Sequence, residues 1–237
     1  PNLTTDQIKI TASTEAEGTG GSIKATTETL NLNNNSKLTV KTNSTGKAGD
    51  IDIQTGSLTV AKDTEISAQT EGTGKGGNIN ISGAEKLNIT GVGQISGSTS
   101  GAGQGGNIDI SAPETIDITG DGEISVKTAG AGNAGNISIE TQNLTTEQIK
   151  ITASTEANSS GDAGNIEIKT GSLRVDNDAQ ISAQTEGTGK GGDINISPKE
   201  TTLNITGNGE ISASTSGAGQ GGNIELKATE TIDITGD

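Results

Sequence analysis

The chain of 237 residues contains no Cys, His, Met, Trp, Tyr or Phe, so disulfides, thiolate metal sites and aromatic stacking platforms are excluded. Its 30 acidic and 15 basic residues, the latter 14 Lys and the single Arg174, leave a net charge of −15, which argues against nucleic-acid binding and for a soluble acidic surface. With only 29 Ile, 10 Leu and 5 Val, composition alone reads as disorder; the 37 Gly follow no collagen period, and no apolar run approaches the ~18 residues that span a bilayer.

Periodicity overrules composition, because a disordered chain has no reason to hold its few aliphatics in register. An anchor of two small residues, a polar residue and Ile recurs as GGSI, AGDI, GGNI, GGNI, AGNI, AGNI, GGDI and GGNI. It places Ile23, Ile51, Ile79, Ile108, Ile137, Ile166, Ile194 and Ile224 at intervals of 28 to 30 residues. Eight anchors predict about eight coils over 1–237.

Each coil opens with a first alternating segment, such as Asn107–Ile110, followed by a second at Thr115–Ile118 and a third at Glu123–Thr128. Alternation with period two is the signature of a half-buried strand. It directs Ile108, Ile110, Ile116, Ile118, Ile124 and Val126 to one face. The β-branched residues, the glycines and the absence of an i, i+3, i+4 pattern exclude a helix. The predicted fold is therefore all-β, a parallel β-helix (β-solenoid) of 28-30-residue coils with three short strands each. Stacked coils at ~4.8 Å would make a rod of roughly 38 Å.

Ladders run along this rod. The third segments supply a core ladder of Ile10, Leu38, Ile66, Ile95, Ile124, Ile151, Ile181 and Ile211, followed two residues later by a small one that includes Ala68, Gly97 and Ala183. Two residues further on, Thr14, Thr42, Thr70, Thr99, Thr128, Thr155, Thr185 and Thr215 recur without exception on the inward parity. They are expected to form a corner ladder whose hydroxyls bond to neighbouring coils.

Glycine-rich turns such as 71–78 and 100–107 then lead into the next coil, and Gly77 and Gly106 hold one invariant slot of these turns. The following slot carries Ser22, Asp50, Asn78, Asn107, Asn136, Asn165, Asp193 and Asn223. It reads as an Asn ladder whose stacked side-chain amides bond along the rod.

A longer duplication overlies the short one. Residues 55–82 match 170–197, 99–111 match 215–227, and 3–16 match 144–157. Such copying lengthens a rod and is a poor route to a unique active site. The chain starts at Pro1 and shows no capping segment at either end, so it is expected to be part of a longer array, or to associate end to end.

The strings AGNISI, GGNIDI, SLTV and EISAST resemble the repeats of filamentous-haemagglutinin-type exoproteins, in particular large cyanobacterial members, and the resemblance covers the whole chain. It implies a right-handed β-helix, two-partner secretion through an outer-membrane export pore, and service as an adhesin or surface fibre. The secretion domain with its NPNG-type motif and the RGD tripeptide do not occur here, so the resemblance implies shaft, and no receptor-binding residue is carried over.

Catalysis finds little support. The acidic residues occupy variable outward slots, and Asp109, Asp117 and Glu123, which share a coil, read as solvated charge. Calcium-binding β-rolls repeat an Asp in the turn, where this chain has Lys75, Gln104, Lys190 and Gln220. The outward Thr11, Thr39 and Ser67 ladder lacks the second Thr of an ice-binding face, and N-x-S/T strings such as 88–90 and 204–206 are expected by chance in this composition. The expectation is a secreted or cell-surface structural and adhesive fibre segment, not an enzyme, with no cofactor and with its own repeats or cell-surface glycans as partners. The alternative is a carbohydrate-binding or carbohydrate-processing β-helix.

Overall fold

In a computed structural model, described over residues 1–15, 17–43 and 45–236 and with side chains outside 198–201, the chain is all-β. It contains no helix among the described residues. Every pairing between described strands is parallel and joins residues one repeat apart, so the hydrogen bonds run along the rod. The architecture is a β-solenoid of about eight turns.

The anchors hold their predicted register: Ile51 pairs with Ile79, Ile79 with Ile108, Ile108 with Ile137 and Ile137 with Ile166. The third segments form a separate eight-stranded sheet from Lys9–Thr14 to Glu210–Ser212. The other eleven strands form one sheet, because the first and second segments, expected as separate strands, run together in six coils. Ile137–Glu147 shows how. Burial falls on Ile137, Ile139 and Thr141, then changes parity to Leu144 and Thr146, so a single strand turns a corner and serves two walls. The segments separate as Ile79–Ser82 and Lys86–Thr90, where Gly83 takes φ +75°, and as Ile224–Leu226 and Thr231–Thr235.

The interior is a stack of aliphatic ladders. Ile66, Ile95, Ile124 and Ile181 are fully buried, as are Ile108, Ile116 and Leu58 on the other walls. Each inward Ile, covered by the coils above and below, removes its whole side chain from water, worth about 1.5–3 kcal/mol. That is how so few aliphatics sustain a core. Ile211 and Thr215 are only half-buried, because no described strand of their sheet stacks on their far side.

Candidate functional site: the corner ladders

The polar residues singled out by the repeat lie at the two ends of the glycine turn, the Thr slot where the third wall ends and the Asn slot just before the first wall of the next coil. The Asn slot is a continuous hydrogen-bonded column. The backbone N–H of Asp50 donates to Ser22 Oγ at 3.1 Å, Asn78 to Asp50 Oδ1 at 2.7 Å and Asn107 to Asn78 Oδ1 at 3.1 Å. Asn136 donates to Asn107 and Asn165 to Asn136, each at 2.9 Å, and Asp193 donates to Asn165 and Asn223 to Asp193, each at 2.8 Å. The slot side chains do bond along the rod, but their partner is the backbone N–H of the next coil. Each side chain stands in for a backbone carbonyl toward the N–H of the next coil, while the main-chain carbonyl of the same residue accepts from the anchor Ile of the preceding coil, as Asn107 does from Ile79 at 2.9 Å. A side-chain amide also donates in this slot, from Asn223 Nδ2 to Asp193 Oδ1 at 3.0 Å.

The Thr slot also differs from expectation. Thr14, Thr70, Thr99 and Thr128 donate within their own coil, to the carbonyls of Thr19, Lys75, Gln104 and Asn133 at 3.2 to 3.4 Å. The hydroxyl clips the glycine turn shut. Contact between coils belongs to the backbone, which pairs Thr42, Thr70, Thr99 and Thr128 in succession, and to a hydroxyl bond between Thr155 and Thr185. The Thr42 hydroxyl is buried with no partner among the described residues.

A second threonine device was not anticipated. At the bend between the first two walls, Thr55, Thr141 and Thr170 are buried, and each donates to the carbonyl two residues on, at 3.0, 3.2 and 2.7 Å. A hydroxyl turned back on its own strand lets the chain bend without breaking the sheet.

The glycine turns leave no room for side chains. A Cβ on Gly106 would stand 1.8 Å from the carbonyl oxygen of Gly77, and one on Gly103 would stand 1.8 Å from that of Gly74. One turn departs from the pattern. Between Thr155 and Ile166 it is two residues longer than its counterparts, and Ser159 takes a glycine position, donating to the Gly130 carbonyl and accepting from the Gly161 N–H at 3.1 Å.

The walls carry dispersed charge. Lys37 Nζ meets Glu65 Oε2 at 2.8 Å across two coils; burial alone would raise the Glu65 carboxyl, but Lys37, with Ser67 and Lys9, holds it below the ordinary range. Arg174 binds the largely covered Asp176, and that hydrogen bond, first among its causes, lowers the Asp176 carboxyl. Asp109 reaches solvent, yet the flanking strands withdraw part of its hydration and raise its carboxyl. The three acidic residues of its coil are not brought together: Asp109 and Asp117 lie on either side of the first bend, and Glu123 lies on the third wall, bound to Lys127 at 2.5 Å.

Among the described residues no group of three or more Asp or Glu is placed to hold a metal ion, and no helix is long and apolar enough to cross a membrane. The groove beside the longer turn, about 400 Å³, is lined by Lys127, Ser154, Glu156, Asn158 and Glu186 among others. Comparison with known protein families, curated proteins and solved structures finds no match for this chain.

Proposed function

We propose that the chain is a length of shaft in a secreted or cell-surface fibre, serving adhesion, aggregation or a sheath by holding other parts at a distance. The observation that carries this reading is the continuity of the Asn-slot column from Ser22 to Asn223. Each coil offers its neighbour the same acceptors, so the unit of design is the repeat. The walls support it as well. Val92 is the only exposed large aliphatic away from the terminal coils among the described residues, so the sides offer little apolar surface for a partner. Export through an outer-membrane pore, as the repeat resemblance implies, belongs to the same reading.

Electron microscopy of the purified chain tests it, together with binding to an array of cell-surface glycans. Straight particles of one-coil width, joined or single, without tight glycan binding support the shaft. Compact particles that capture a defined glycan at a discrete site would replace it with the carbohydrate-binding alternative.

A further inference from the structure

The corner between the second and third walls contains a covalent weak point. Of the 20 asparagines, nine precede Ile, whose branched side chain shields the following backbone nitrogen, and only Asn208 precedes Gly. Asn208 is exposed, in a tight turn from Thr206 to Gly209 in which Gly207 adopts φ +61°. That turn is closed by a long hydrogen bond from the Gly209 N–H to the Thr206 carbonyl, at 3.2 Å. Position 209 cannot shield itself with a side chain, because a Cβ there would stand 2.8 Å from the Val175 carbonyl oxygen of the adjoining coil. Stacking thus forces an unhindered nitrogen next to an exposed carboxamide.

We propose that Asn208 is a site of spontaneous deamidation. The Gly209 nitrogen attacks Asn208 Cγ, forming the C–N bond of a succinimide, while the bond from Cγ to the side-chain nitrogen breaks and ammonia leaves with the proton from Gly209. Water then opens the imide at either carbonyl, leaving aspartate or isoaspartate at position 208. Neither product suits the corner. The strands flanking the turn stay in register with Val175 against Ile205 and Gln180 against Glu210, which sets position 208 over Asp178 of the adjoining coil. A new carboxylate there faces Asp178 and the Asp176 carboxylate beside Gly207, and isoaspartate adds a methylene to a backbone held at both ends.

Incubation of the intact chain at mildly alkaline pH and physiological temperature, followed by tryptic mapping and fragmentation of the peptide 200–227, reads the site directly. Isoaspartyl methyltransferase labelling gives a second readout. A synthetic peptide of residues 203–213 serves as the unconstrained reference. The expected result is replacement of NH by O at position 208 several-fold faster than at any other asparagine, with label at the same peptide, and loss of both in Asn208→Gln. Conversion of the free peptide while position 208 of the folded chain stays intact would overturn the proposal, as would earlier conversion of any other asparagine.

Discussion

The backbone N–H of Asn107 donates to Oδ1 of Asn78, one coil earlier, at 3.1 Å, and the Oδ1 of Asn107 accepts in turn from Asn136 at 2.9 Å. Each Asn side chain is thus an acceptor for the next coil. Asn107→Ala leaves the Asn136 N–H to water or to nothing, at a cost of about 1–2 kcal/mol. Asn107→Asp keeps the acceptor, as Asp50 and Asp193 already do. Thermal unfolding followed by circular dichroism should show a lower midpoint for the first variant and little change for the second.

The threonine slot contains its own control. Thr128 donates to the Asn133 carbonyl, whereas the buried Thr42 hydroxyl has no partner among the described residues. Thr128→Val should destabilise by about 1 kcal/mol, while Thr42→Val removes an orphan polar group and should be neutral or stabilising by a similar amount. Equal losses in denaturant titrations of both variants would refute this assignment of the hydroxyls.

Lys62 and Asp63 hold φ of 47° and 62° at a corner where other coils place Gly91, Gly120 and Gly207. Left-handed backbone costs a non-glycine residue about 1–2 kcal/mol, and glycine returns roughly 0.5–1 kcal/mol of that as lost chain entropy. Lys62→Gly should therefore stabilise by about 0.5–1 kcal/mol, read as a raised unfolding midpoint.

Asp176 governs one part of the acid response. Its folded carboxyl lies below the ordinary range, chiefly through the Arg174 hydrogen bond. A depressed carboxylate contributes its full stability above the unfolded pKa and loses it as pH falls through the folded value. Unfolding midpoints measured between neutrality and strong acid should fall across that window, and Asp176→Asn should flatten the decline. Asp109 has the opposite sign, its raised carboxyl favouring the protonated fold, so Asp109→Asn should raise the midpoint at neutral pH.

Register was legible in the sequence because the eight Ile anchors and the Thr slot recur at near-constant spacing, and each spacing reflects one stacked coil. Hydrogen-bond direction was not, since Asn78 offers both donor and acceptor and only the corner geometry selects the acceptor. The buried Thr55, Thr141 and Thr170 were hidden because Ala112 fills the same inward slot, four residues before its aliphatic instead of three. A compensation hid the longer turn before Ile166. Its second corner, where Gln148 alone takes positive φ and Ile149 is buried, is one residue shorter than in the preceding coil, and so is its first bend, from Ile137 to Leu144, so the distance from Ile137 to Ile166 stays at 29 residues.

Removal of one whole coil, residues 79–107, tests the shaft most directly. It joins Asn78 to Ile108 and lets Asn136 meet the Asn78 acceptor in place of Asn107. Small-angle scattering of the two chains compares length and cross-section separately. A rod of unchanged cross-section, shorter by the strand spacing of about 4.8 Å, is the predicted result. A change in cross-section, or loss of the folded rod, would contradict a shaft built from interchangeable coils.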